Sequence, residues 1–351
     1  MATFKLIEIS QAFNTFDDIL DVRSPAEYAG DHIPGALSVP VLNNEERARI
    51  GTLYTQVSPF EAKKLGAALI ARNIAQHLEE NFSDRPKSWR PLVYCWRGGM
   101  RSGAMAHILA QVGWHTAQLE GGYKNYRRHV ITSLESLPRQ FDFRVISGGT
   151  GSGKSHLLHA LAEQGAQVLD LEELAQHRGS LLGRLPNQPQ PSQKTFETQL
   201  WDVLRAFNAD RPVYIEAESR KVGVLSLPTP LVERMRASAC VRVEVPLNAR
   251  VKFLMEDYAH FLHTPTLLTE RLSLLVEIHG RAVTSRWCEF AHKGEWELLV
   301  GELLTQHYDP AYKRSSGIGF PQLHQSDALK LSALDSDSLR QVAENLIQNE
   351  R

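Results

Sequence analysis

Only three cysteines occur among the 351 residues: Cys95, Cys240 and Cys288. Three cannot build a disulfide framework, and so few point to a reducing compartment. Long hydrophobic runs are missing too, since no stretch approaches the about 18 apolar residues of a membrane span. The opening MATFKLIEIS lacks the charged start and apolar centre of a secretory leader. An excess of one charge is also absent: 39 Lys and Arg face 40 Asp and Glu, for a net charge of −1. That excludes a uniformly basic coat but leaves room for a local basic face. No internal repeat or low-complexity tract occurs. These absences lead us to expect a soluble cytoplasmic protein with no membrane partner. What is present suits ordinary globular cores, with 42% hydrophobic and 23% charged residues. The length predicts about two domains.

Strand-like and helix-like runs alternate in two blocks, which predicts an α/β protein with mainly parallel sheets. Asp18–Val22 and Ala36–Val39 read as short strands, and Pro91–Tyr94 as a buried one. Ser24-Pro25-Ala26-Glu27 has the order of a capping box with Pro at the first helical position. Residues 59–83 carry apolar side chains at helical spacing, and a helix is expected over 103–112. Residues 130–143, with Pro138, read as a connector, and the domains are placed at 1–137 and 138–351. In the second block, strands are expected at 143–146, 167–171, 212–216 and 239–245, followed by helices over 247–307. The tail after Pro310 reads as a Ser/Gly-rich loop, then one amphipathic helix over 336–348.

Cys95 stands at the carboxyl end of the buried strand, where open parallel sheets bind ligands. Trp96-Arg97-Gly98-Gly99-Met100-Arg101-Ser102 follows it. The two glycines let the loop curl so that its N–H groups form an anion nest, and the next helix start adds positive potential. Such surroundings favour a thiolate nucleophile. Arg97 and Arg101 could pair with an oxyanion. Cys240 and Cys288 lie in apolar segments without such a loop and read as packing residues.

Gly148-Gly149-Thr150-Gly151-Ser152-Gly153-Lys154-Ser155 fits the phosphate loop G-x-x-x-x-G-K-[ST], between a strand and a helix. Gly148, Gly151 and Gly153 let backbone N–H groups cradle a diphosphate. Lys154 would neutralise it, and Ser155 would hold Mg²⁺ if a nucleotide binds. The acidic strand end that usually accompanies this loop is either Glu216 or Asp170. The loop selects a diphosphate and not a base, so ATP and GTP both stay open. His177-Arg178-Gly179-Ser180, Gln190–Glu197 and Glu216–Gly223 are polar clusters expected to line one cleft. His177, Arg178, Arg220 and Lys221 are its candidate contacts to phosphate or another part of the substrate.

Asp21-Val22-Arg23-Ser24-Pro25-Ala26-Glu27-Tyr28, His32-Ile33-Pro34-Gly35-Ala36, the Cys95 loop and Leu119-Glu120-Gly121-Gly122-Tyr123 together resemble a rhodanese domain. One departure is the Cys-x5-Arg spacing, where many single-domain rhodaneses have Cys-x4-Arg. The longer loop resembles related phosphatases and leaves room for a phosphate-sized group. With the phosphate loop, His-Arg-Gly-Ser, Pro-Ser-Gln, Glu-Ser-Arg and His307-Tyr308-Asp309-Pro310, nearly the whole chain resembles the tRNA 2-selenouridine synthase family.

That resemblance implies a transferase that replaces sulfur by selenium in wobble 2-thiouridine of tRNA. Selenophosphate is the donor, and the sulfur is first geranylated from geranyl diphosphate. It further implies selenium transfer at Cys95, for which Cys–S–Se⁻ is one candidate species, with Arg97, Gly98, Gly99 and Arg101 on the phosphate. The phosphate loop would then bind the diphosphate of the prenyl donor. A transient partner that supplies selenophosphate is expected. Lys124, Arg127, Arg128 and His129 form a basic run, and Arg271, Arg281, Arg286 and Lys293 are spread through the helical region. Tyr126 and Trp287 are candidates to stack on bases. Two other readings remain at this point: a Cys-x5-Arg phosphatase fused to an ATPase, and a nucleotide-switched RNA-binding protein.

Overall fold

Pro91–Tyr94 is buried at every position, as a strand covered on both faces of a parallel sheet must be. The structure, a computed structural model, describes residues 4–13, 15–180, 182–183, 188–326 and 328–350. The chain divides into two units, Met1–Ser133 with Ser192–Asp202, and Leu134–Pro191 with Val203–Arg351.

In the first unit, β1 (Lys5–Ile7), β2 (Asp18–Asp21), β3 (Leu37–Ser38), β4 (Pro91–Tyr94) and β5 (Ala117–Leu119) form a parallel sheet in the order β1-β5-β4-β2-β3. Helix α1 (Pro25–Gly30) starts at the predicted box, where the Ser24 N–H donates to Glu27 Oε2 at 3.0 Å. Then come α2 (Asn44–Gln56), α3 (Pro59–Glu80), α4 (Met100–Val112) and α5 (Gly122–Ser136). Leu20, Val22, Ile74, Val93, Met105 and Leu109 form the core beneath the cysteine loop.

In the second unit, β6 (Phe143–Ser147), β7 (Gln167–Leu169), β8 (Val213–Glu216), β11 (Ala239–Glu244) and β12 (Ala328–Lys330) pair in parallel in the order β12-β11-β6-β8-β7. A short hairpin, β9 (Lys221–Val222) with β10 (Leu225–Ser226), stands apart. Helices α6 (Lys154–Glu163), α7 (Leu171–Ala175), α9 (Thr229–Ala237) and α10 (Leu247–Asp257) connect the strands, while α8 (Gln193–Ala206) belongs to the first unit as far as Asp202. The expected helical region continues through Ala259–His263, Pro265–Ser273, Val276–Lys293 and Trp296–Glu302 into a π-helical turn, Leu303–Tyr308. The α/β class, with a helical C-terminal region, is as the sequence predicts.

Two expectations fail. Residues 130–143 are no loose connector: α5 runs on to Ser136 and a 3₁₀ turn covers Leu137–Gln140. Val130 and Leu134, one helical turn apart, are buried and hold it. The tail after Pro310 is not a plain loop either. Asp309–Gly319 is helical, with Pro310 in its first turn, where a missing N–H costs little. Beyond it, β12 adds a parallel edge strand beside β11. The helix Ser336–Gln348 forms as expected, with Asp335 Oδ1 accepting from Ser338 N at 2.9 Å.

Candidate active sites

Cys95 is buried at the carboxyl end of β4, with only 3% of its surface exposed. Its Sγ accepts from the Gly99 N–H at 3.3 Å and from the Ser102 hydroxyl at 3.1 Å. Gln118, on β5, donates Nε2 to Ser102 Oγ at 2.7 Å and to the Gly98 carbonyl at 2.8 Å. Holding that carbonyl helps fix the direction of the loop's peptide groups. The loop's other carbonyls are taken by the start of α5: Tyr123 N donates to Cys95 O at 2.8 Å and Lys124 N to Trp96 O at 3.0 Å. Gly122 makes this approach possible. Its φ is +56°, and a Cβ there would collide with the Cys95 carbonyl. Trp96, Arg97 and Met100 stand exposed at the rim.

Behind the loop lies a buried polar knot. Arg23 Nη2 pairs with Asp21 Oδ2 at 2.6 Å and donates to the Asp31 carbonyl, also at 2.6 Å. Burial by itself would lower the Arg23 pKa, but the Asp21 carboxylate raises it. Tyr94 donates to Asp21 at 2.6 Å, and Tyr123 to Asp31 at 2.7 Å. The Asp-Val-Arg segment is thus a fixed wall that sets the strand ends around Cys95. Arg101 faces a different partner from the one expected. Its guanidinium is forked on Glu27, with Nη1 at 2.7 Å from Oε2 and Nη2 at 3.3 Å from Oε1. Burial pushes the Glu27 carboxyl up, but the hydrogen bond and charge of Arg101 outweigh it and hold the carboxyl at about 2.

On the second sheet, the Gly148–Ser155 loop joins β6 to α6. Gly151 has φ +76°, and a Cβ there would strike Leu254 at 2.7 Å. Lys154 Nζ donates to the Gly148 carbonyl at 3.0 Å, within the loop. Ser155 Oγ donates to Glu172 Oε2 at 3.1 Å. Glu216 ends β8 fully buried, and its Oε1 accepts from the Glu172 N–H at 2.9 Å. Asp170 instead caps α7, accepting from Glu173 N at 2.8 Å. Burial, then neighbouring carboxylates, push Glu216 and Glu218 upward; burial also raises Glu172, against the pull of Lys154. For Mg²⁺, Ser155 Oγ and Glu172 are fitting donors. Their 3.1 Å spacing is close to the edge of an octahedron with bonds of about 2.0–2.1 Å.

Sequence reasoning missed a clamp on the outer arm of this loop. Arg250 on α10 is buried; its Nε donates to the Thr150 carbonyl at 2.8 Å. Its two terminal nitrogens fork onto Asp309 at 3.1 and 2.6 Å. The partners lie 100 and 59 residues away, so no local pattern announces them. Sequence reasoning also missed Ser102 as a partner of the sulfur, although it directly follows Arg101, and Gln118 as the residue that holds Ser102. Glu27 was read only as a cap.

An apolar cavity adjoins the same loop. Thr150 and Ser180 stand in its wall with Leu254, Met255, Phe261, Leu299 and Tyr308. It is narrow, with a volume of about 70 Å³. An apolar chain would therefore have to spread the side chains on entry.

The expected basic contacts divide into two sets. Arg128, Arg220 and Lys221 are exposed, and His177 is half-buried. Arg127 is held by Glu197, and Arg178 by Asp257 at 2.6 Å and by the Tyr258 ring at 4.5 Å. Tyr126 and Trp287 are both fully buried, so neither can stack on a base as expected; large aromatic area was drawn into the cores. The three polar clusters come together in part: a Cβ on Gly179 would meet the Glu218 carboxyl at 2.6 Å, and Gly223 lies against Gln190. Ser192 and Thr195 donate to the Gly30 carbonyl at 2.8 and 3.0 Å in the first unit, whereas Gln190 bonds Val222 and Val224 in the second. Among the described residues, no helix is long and apolar enough to cross a membrane.

Residues 6–129 match the family described as rhodanese-like domain. Residues 141–271 match the tRNA 2-selenouridine synthase AAA domain. A cysteine-loop unit and a phosphate-loop unit stand in one chain, and the class is a tRNA-modifying transferase. The tRNA 2-selenouridine synthase of Nitrosomonas europaea is 36% identical over 283 residues, 80% of this chain and 72% of that one. Its counterpart from Aeromonas salmonicida is 36% identical over 84% of this chain and 87% of its own. A solved N-terminal domain from Clostridium difficile is 33% identical and covers 36% of this chain and 98% of that one, with a TM-score of 0.32. The chain belongs to the tRNA 2-selenouridine synthase family.

Proposed function

We propose that this chain turns wobble 2-thiouridine of tRNA into 2-selenouridine in two steps, one at each loop. The observation that carries the reading is the apolar cavity opening on a phosphate loop. Together they suit a ligand with a diphosphate head and a hydrocarbon tail, such as geranyl diphosphate. In the first step, the thiouridine sulfur bonds to C1 of the geranyl group and the C1–O bond breaks. The N3 proton goes to solvent. The leaving diphosphate gathers charge under the loop N–H groups and Lys154, which stabilise it most as it departs.

The second step uses Cys95 and selenophosphate. The thiolate attacks phosphorus, an S–P bond forms, the P–Se bond breaks, and selenium leaves as hydrogen selenide anion; water then cleaves the S–P bond, releasing phosphate and restoring the thiolate. That selenide adds to C2 of the S-geranylated base and expels geranyl thiolate. Attack at selenium would give Cys–S–Se⁻ but leave phosphorus two electrons richer, as phosphite. Attack at phosphorus keeps every oxidation state and suits a loop of phosphatase length. Gly98 and Gly99 would hold the phosphoryl oxygens, with Arg97 at the rim, and Arg101 could join only by leaving Glu27. Selenophosphate would come from a partner enzyme.

The test is mass analysis of wobble nucleosides made by the purified full chain from thiolated tRNA, geranyl diphosphate and selenophosphate. Cys95→Ser should accumulate S-geranyl-2-thiouridine and no 2-selenouridine, while Lys154→Ala should make neither. Normal selenation by Cys95→Ser would remove the cysteine from the mechanism. Normal geranylation by Lys154→Ala, with loss of ATP turnover, would make the loop an ordinary nucleotide site.

A further inference from the structure

Two elements line the apolar cavity and also grip the phosphate loop. The first is α10. Its Leu254 and Met255 stand in the cavity wall, and Leu254 packs on Gly151. One turn earlier, Arg250 donates to the Thr150 carbonyl at 2.8 Å. The second element is the π-helical turn Leu303–Tyr308, whose Leu303, Leu304 and Tyr308 face the cavity. The residue after it, Asp309, takes both terminal nitrogens of Arg250. Thr150 itself belongs to the cavity wall, so the chain of contacts closes on itself.

We infer that Arg250 and Asp309 are positioning residues that tie occupation of the apolar cavity to the geometry of the diphosphate loop. This rests on the reading of loop and cavity as one prenyl diphosphate site. Three of the five Arg250 N–H groups are engaged by Thr150 and Asp309, which fixes the guanidinium against the loop backbone. A tail entering so narrow a cavity must displace part of its wall, to which Leu254 and Tyr308 belong. Those residues share backbone turns with Arg250 and Asp309, so the displacement reaches the Thr150 peptide. A π turn carries an extra residue per turn relative to an α-helix and is a common place for functional adjustment. A head group without a tail would not engage this path.

The test measures dissociation constants of geranyl diphosphate and of inorganic diphosphate on the full chain, by calorimetry. Wild type should bind the prenylated ligand more tightly. In Asp309→Asn and Arg250→Lys that preference should shrink by about tenfold, within the usual range of site-to-site coupling, with inorganic diphosphate binding unchanged. Lysine keeps the charge but lacks the fork, so it should not rescue. A preference that survives in both variants overturns the inference. Parallel weakening of both ligands also overturns it, since that is the mark of a merely structural residue. If wild type shows no preference for the tail, the prenyl reading itself fails and the coupling falls with it. Thermal melting checks that each variant is folded, and Asp309→Asn suffices if Arg250→Lys is not.

Discussion

The Ser102 hydroxyl donates to Cys95 Sγ across 3.1 Å, and its direction is set from behind by Gln118 Nε2 at 2.7 Å. Because Ser102 Oγ accepts from Gln118, its own hydrogen is free to point at the sulfur. Hydrogen bonds to charged groups contribute about 1.5–3 kcal/mol, so Ser102→Ala should slow selenation about 10- to 100-fold. Geranylation should be unaffected. Single-turnover conversion of S-geranylated tRNA reads the first rate, and product analysis reads the second.

Glu27 links the start of α1 to the cysteine loop through Arg101. Its carboxyl titrates at about 2 in the folded chain, below the about 4.3 of an unfolded one. The stability it contributes is therefore present above the unfolded value and is lost as pH falls through about 2. Glu27→Gln should cost about 1–3 kcal/mol at neutral pH. The gap between wild type and variant should close toward the acid end of that window. Melting curves of both proteins across the acid range test this.

The Glu218 carboxyl behaves in the opposite sense. Burial first, then the charge of Glu172, pushes it up to about 8 against the pull of Lys154. A folded value above the unfolded one means stability that is complete in acid and is lost as pH rises through about 8. Glu218→Gln should flatten the fall in stability between weakly acidic and weakly alkaline solution. Denaturant unfolding at the two ends of that range is the measurement.

Met255 is half-buried in the cavity wall, so enlarging it fills the cavity without rebuilding the core. Met255→Trp should weaken geranyl diphosphate binding at least about tenfold and leave inorganic diphosphate binding intact, at a folding cost of about 1–3 kcal/mol. Competition between the two ligands on the purified variant reads both affinities.

The sequence revealed what is local. Ser24 and Glu27 stand three residues apart, and their capping box is where the spacing puts it. The cysteine loop and the phosphate loop each sit between a strand and a helix, as their glycines require. Partnerships across long separations were hidden. Arg250 reads as one more charged residue on a helix until the fold brings Thr150 and Asp309 to it. Arg101 reads as an anion ligand, yet Glu27, 74 residues earlier, already occupies it. Tyr126 and Trp287 look like exposed stacking platforms in a basic neighbourhood, but the core claims their area. The edge strand β12 was missed because three residues after a Ser/Gly-rich stretch carry too little pattern.

The C-terminal segment gives the phosphate loop a dependence on the order of synthesis. Leu331, Leu339 and Ala343 pack with Leu157, Leu158 and Leu161 of α6, and Leu334 lies against Gly153. The rhodanese-like β1–β5 sheet can assemble while the ribosome is still working, as N-terminal domains generally do. The phosphate loop must wait, since the residues that buttress its helix, Leu331 to Ala343, are made long after it. A chain that stalls short of Ser336 would thus carry the Cys95 loop without a properly supported Lys154 loop.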